Sequence, residues 1–101
     1  MKDKVYAKSI EKSINTFGQT LLLIACEEMG ELMQAISKME RVTDTGSKKE
    51  LRRLKDHIIE EMVDVSIVLD ELKVYYNIGD DEIKKMKAEK IARLKKRAKD
   101  M

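Results

Sequence analysis

Residues 21–31 read LLLIACEEMGE and residues 58–69 read IIEEMVDVSIVL, and neither stretch contains a Lys or an Arg. Each carries two acids three residues apart, Glu28 with Glu31 and Glu61 with Asp64, inside an otherwise apolar run. In a helix that spacing sets both acids of a pair on one face, about one turn apart. Leu22, Ala25, Met29, Leu32, Ile36 and Met39 recur at three and four residues around the first pair. Leu51, Leu54, Ile58, Met62, Val65, Leu69, Leu72 and Tyr76 do the same around the second. This is the period of helices that face a core. A solvated face mixes signs and lies opposite the apolar stripe, whereas these acids sit within it without bases.

The periodicity predicts helices over residues 19–41 and 48–76, joined by VTDTGS at 42–47, a cluster of turn formers in which Ser47 is the expected N-cap. A short helix is expected over residues 3–14, with Val5, Ile10 and Ile14 on one side and a break at Asn15, Thr16 and Gly18. Asn77, Ile78 and Gly79 read as a stop, Gly79 being suited to the left-handed conformation that ends helices. Asp80 is the expected cap of a fourth helix, with Asp81 and Glu82 in its first turn, where the macrodipole favours negative charge. Ile83, Met86, Ile91 and Leu94 give that helix an apolar stripe expected to pack on the others.

A chain of 101 residues and 11.7 kDa holds one domain, expected over residues 1–101. With no Pro, seven Met and 40% charged residues, it suits long amphipathic helices better than a sheet. The fold class expected is all-α, a four-helix bundle-like domain. Cys26 is the only cysteine; within LLLIAC it reads as a small packing residue, and a lone thiol suits a reducing cytoplasm. No signal sequence opens the chain, and the longest apolar run, 21–26, is far short of the roughly 20 residues of a membrane span. Residues 84–101 hold nine Lys or Arg against two acids, while residues 1–83 hold twelve against seventeen. Such a basic tail is either a solvated helix face or a surface for a polyanion.

Leu21, Ile24, Glu28, Glu31 and Ala35 fall along one line of the second helix, and Leu54, Glu61, Asp64, Val68 and Tyr75 along one line of the third. Antiparallel packing across the short turn brings the four acids together near mid-helix. Left ionised and unpaired they would cost several kcal/mol each, against roughly 5–15 kcal/mol of net stability for a small domain. A cation is therefore expected. Oxygen ligands with one His and one Cys in the whole chain point to Mg²⁺, with Mn²⁺ as a substitute, rather than zinc or di-iron. His57 precedes Glu60 and Glu61 by three and four, and is expected to be a helix-surface partner of those acids rather than a ligand.

The segments FGQTLLLIACEEMGELMQAI and IIEEMVDVSIVLDEL, followed by a basic helix containing KIARLKKR, resemble the MazG-like all-α nucleoside triphosphate pyrophosphohydrolases over about residues 15–98. The family pattern, Glu-Glu-x-x-Glu and later Glu-x-x-Asp, is matched by Glu27, Glu28 and Glu31 and then by Glu61 and Asp64. The resemblance implies that Glu28, Glu31, Glu61 and Asp64 hold one to three Mg²⁺ ions that bridge a triphosphate and lower the pKa of a water. That water would attack the α-phosphorus, giving a nucleoside monophosphate and pyrophosphate. Glu27 is a secondary ligand or base, and Glu60 an orienting group, both turned away by helical phase. Lys90 and Arg93 resemble the family's phosphate-binding cations, and Arg97 extends their stripe.

Phe17, Gln19 and Tyr6 are candidates for a base pocket, although aromatic residues at helical spacing more often belong to a core. The expected partners are a nucleoside triphosphate and further copies of the chain, as a homodimer or homotetramer, and neither a membrane nor nucleic acid. The competing reading is a non-catalytic helical interaction module whose basic final helix binds nucleic acid or an acidic partner.

Overall fold

The computed structural model describes residues 3–101, which form four helices and no strand: α1 (Lys4–Phe17), α2 (Thr20–Val42), α3 (Lys48–Tyr75) and α4 (Asp80–Lys99). The all-helical expectation holds. Asp3 caps α1, its carboxylate accepting from the backbone N–H groups of Val5 and Tyr6 at 3.0 Å each. The helix runs through Asn15 and Thr16, three residues past the expected end, with the Thr16 hydroxyl turned back to donate to the Lys12 carbonyl at 2.7 Å. Gly18 then ends it with φ +53°, a conformation that costs glycine little.

Ser47 caps α3 as expected, accepting from the Glu50 N–H at 3.1 Å. Gly46 just before it is required by space, since a Cβ there would lie 2.9 Å from the Val42 carbonyl oxygen. Two expectations at the far end of α3 are corrected. Asn77, at φ +54°, takes the left-handed position, while Gly79 has an ordinary φ of −79°. Gly79 rather than Asp80 is the N-cap of α4, and its N–H donates to the Glu82 carboxylate at 2.8 Å. Asn tolerates the left-handed region because its short polar side chain bonds locally. Gly79 is thereby left to start the next helix.

The core lies between α2 and α3, with α1 packed on both. Its buried apolar residues are Ile10, Leu21, Ala25, Ala35, Leu54 and Val68. Leu21 and Ala35 in α2, and Leu54 and Val68 in α3, belong to the lines that also carry the acids. Those lines are the helix contact. Ile36, Met62 and Leu69, expected in the core, are instead 46–57% exposed, because they stand off this line. Tyr6 reaches from α1 to α3, donating its hydroxyl proton to Asp70 at 2.8 Å, and Lys73 stands 3.6 Å from the same carboxylate.

The fourth helix departs from a bundle. Among the described residues α4 packs on none of α1, α2 and α3, and none of its residues is buried. Ile83, Met86, Ile91 and Leu94 remain 39–54% exposed, contrary to the expected packing. The left-handed turn at Asn77 sends the chain away from the other three helices. The radius of gyration is consequently 17.3 Å, against about 13 Å for a compact chain of this length. Among the described residues, no helix is long and apolar enough to cross a membrane.

Candidate metal centre

Glu28 and Glu31 face α3 from the middle of α2, and Glu61 and Asp64 face α2 from the middle of α3. Carboxylate oxygens of Glu28, Glu31 and Glu61 all lie within 4.8 Å of one another, a grouping able to hold a metal ion. Asp64 shares a pocket of about 170 Å³ with Glu28, walled by Ile24, Ile67, Val68 and Glu71. Glu61 is 8% exposed, the one charged residue in the core among those described, whereas Glu31 lies at the exposed rim.

The electrostatics of this cluster are unresolved by the protein itself. Glu28 Oε2 and Glu61 Oε2 are both fully buried and make no hydrogen bond. Burial pushes the Glu28 carboxyl above its usual range, and the charges of Glu31, Asp64 and Glu61 and a hydrogen bond with Glu31 push it further in the same direction. His57 Nε2 stands 3.2 Å from Glu61 Oε1, so that oxygen has a neighbour of opposite polarity while the buried Oε2 has none. His57 thus has the supporting position expected of it.

The arrangement fits a hard divalent cation. The donors are all carboxylate oxygens, and two of them lack any other partner. Opposite ligands of a magnesium-sized ion stand about 4 Å apart, a separation of the same order as the 4.8 Å within which the three carboxylates are grouped. Such an ion removes the cost of two orphaned buried oxygens.

Other expected site residues are placed elsewhere. Glu27 and Glu60 are exposed and turned from the cluster, as their helical phase requires. Lys90, Arg93 and Arg97 lie on α4 and do not meet the acids within one chain. Phe17 is 50% exposed at the end of α1 and Gln19 is exposed beside it, so neither lines the acid pocket. Tyr6 serves α1 docking through Asp70. Cys26 is exposed rather than packed, because the core contact of α2 runs through Leu21 and Ala25, on another face.

Two residues of the pocket, Ile67 and Glu71, are not singled out by the sequence motifs. Glu71 lines it with Glu28 and Asp64, and burial raises its pKa. Glu71 continues the line of Glu61, Asp64 and Val68 by one further turn, and that periodicity was its signal. Compared with known proteins, the chain matches no family model, no curated protein and no solved structure.

Proposed function

We propose that this chain is a magnesium-dependent nucleoside triphosphate pyrophosphohydrolase of the MazG-like kind. The observation that carries the reading is the pair of buried, unpartnered oxygens of Glu28 and Glu61 within one acidic cluster. Glu28, Glu31, Glu61 and Asp64 are the residues that would hold the ion. Bound there, magnesium supplies positive charge against a triphosphate and makes water more acidic. The chain's own part is positional: His57 stands beside Glu61, and Ile24, Ile67 and Val68 form the apolar wall of the pocket. In the reaction, water adds to the α-phosphorus and releases a proton. The bond from that phosphorus to the oxygen leading to the β-phosphorus breaks, leaving a nucleoside monophosphate and pyrophosphate.

The test is product analysis by mass spectrometry after incubation with a panel of nucleoside and deoxynucleoside triphosphates, with Mg²⁺ and with chelator. Monophosphate and pyrophosphate are expected with the metal only. Absence of both across the panel opposes the reading.

The full exposure of α4, with its nine Lys and Arg, favours a second reading as a non-catalytic module for nucleic acid or an acidic partner. Salt-sensitive binding of generic nucleic acid, without bound metal or hydrolysis, marks that alternative.

A further inference from the structure

Two adjacent acids near the end of α3 are used differently. Asp70 accepts a hydrogen bond from the Tyr6 hydroxyl at 2.8 Å and has Lys73 3.6 Å away, so it is occupied in docking α1. Glu71, the next residue, is half-buried at the wall of the acid pocket, and among the described residues its side chain makes no hydrogen bond and no ion pair. Burial has taken part of its water, which is why its pKa is raised. A carboxylate in that state gains from any N–H or O–H group that enters the pocket.

The place of Glu71 along the groove decides what such a group belongs to. The two helices run in opposite directions, residues 38–42 of α2 lying against residues 50–54 of α3, and residues 24–28 against residues 64–71. The groove is therefore ordered. Glu31 and Glu61 stand at one end, Glu28 and Asp64 follow, Ile24, Ile67 and Val68 come next, and Glu71 closes the far end. At a rise of about 1.5 Å per residue, Glu71 lies about 10 Å beyond Asp64 and about 15 Å beyond Glu61 along the axis of α3. An ion held by Glu28, Glu31 and Glu61 is out of its reach. Nor does Glu71 suit a phosphate group, which it repels when no cation stands between them.

The pocket that spans Asp64 and Glu71 has a volume of about 170 Å³, below the roughly 300–1,000 Å³ of sites that enclose a whole small molecule. It takes one ring of a ligand, with apolar walls for the ring faces and one free acceptor at the end to set its orientation. We propose that Glu71 reads the nucleoside part of the substrate: with the phosphates at the cation, the sugar or base lies against Ile24, Ile67 and Val68 and donates an O–H or N–H hydrogen bond to the Glu71 carboxylate. This rests on the triphosphate reading above, which sets the part of the ligand that meets the cation. Glu71 is then a specificity residue and not a fifth metal ligand. A ligand without the donor is rejected, because it leaves the half-buried carboxylate unpaired.

Calorimetric titration in Mg²⁺ tests this with non-cleavable α,β-methylene nucleoside triphosphates of each common base, in ribo, 2′-deoxy and 2′,3′-dideoxy forms. Inorganic tripolyphosphate serves as a probe with phosphates alone. Wild type should bind at least one nucleotide analogue more tightly than tripolyphosphate. Glu71→Ala, which suits a helix and should keep its circular dichroism, should weaken that analogue about tenfold to a hundredfold and leave tripolyphosphate within about threefold. Glu71→Gln retains a carbonyl acceptor and should fall between the two. An effect of Glu71→Ala that vanishes in the dideoxy series supports the proposal with the sugar as donor, and one confined to particular bases supports it with the base as donor.

Equal weakening of nucleotide and tripolyphosphate overturns the proposal, as does wild-type binding of nucleotides no tighter than tripolyphosphate, or no binding of either. Product analysis on the parent triphosphates separates this from the reading beneath it. Selective binding without monophosphate and pyrophosphate would sink the hydrolase reading and leave the role of Glu71 standing. Hydrolysis in which Glu71→Ala changes kcat/KM for every substrate alike would sink the role of Glu71 alone.

Discussion

Replacing Glu28 by Gln keeps the shape of the side chain and removes its charge. In the metal-free protein the Glu28 carboxyl is buried, has one oxygen without a partner and faces Glu31, Asp64 and Glu61, so its ionised form is disfavoured. A carboxyl whose folded pKa lies above the unfolded value of 4.5 supports the fold while protonated, and that support is lost as pH rises through the folded value. Metal-free wild type should therefore lose stability from pH 5 upward, and Glu28→Gln should lose less. Relieving one unsatisfied buried charge is worth about 1–2 kcal/mol, or a Tm rise of roughly 5–10 °C at pH 8 for a domain of this size. At pH 4 the two proteins should melt together.

Adding Mg²⁺ at pH 8 reverses the order. At about a hundredfold excess over Kd it should stabilise wild type by about 2.7 kcal/mol and the variant by much less. Thermal melting by circular dichroism, over pH 4–9 with metal or chelator, reads both effects. A Glu28→Gln protein that is less stable than wild type by the same amount at pH 4 and pH 8, in chelator, would refute the reasoning.

Glu61→Gln should abolish nucleotide turnover and leave helicity intact, as read by product analysis and far-ultraviolet circular dichroism. Burial and the bond to Asp70 push the Tyr6 hydroxyl up to about 12, so one of the three tyrosines should ionise last in an absorbance titration. The fold should weaken as pH rises from 10 through that value, because only the protonated phenol donates to Asp70, and Tyr6→Phe should remove this loss at a cost of about 1 kcal/mol at neutral pH. At the left-handed turn, Asn77→Gly should be tolerated, whereas Asn77→Val should cost about 1–2 kcal/mol in a urea melt.

The sequence showed the α2–α3 hairpin because two different signals coincide there. Apolar periodicity located both helices, and the turn chemistry of VTDTGS with Ser47 fixed the connection. The line Leu54, Glu61, Asp64 and Val68, drawn from helical phase alone, is the line along which α3 meets α2. Phase also placed Glu27 and Glu60 outside the cluster.

What periodicity does not reveal is which of several apolar faces is covered. Met62 and Leu69 repeat as regularly as Leu54, yet the packing of α2 selects only one side of α3. The stripe on α4 has the same ambiguity on a larger scale, since periodicity records an apolar face without saying whether another element covers it, and among the described residues none does. Cys26 illustrates the finer limit: one residue after the buried Ala25, it is exposed, so a shift of one residue in phase separates exposure from contact.

The carboxylates of Glu28, Glu31, Glu61 and Asp64 are proposed to bind a divalent cation of the magnesium class between α2 and α3. Titration with Mn²⁺ followed by electron paramagnetic resonance measures this with the metal alone. Loss of the free-ion signal to at least one Mn²⁺ per chain at pH 8, recovery of the signal on adding Mg²⁺, and no binding by Glu61→Gln are expected. An undiminished free-ion signal with wild-type protein in excess of the metal would contradict it.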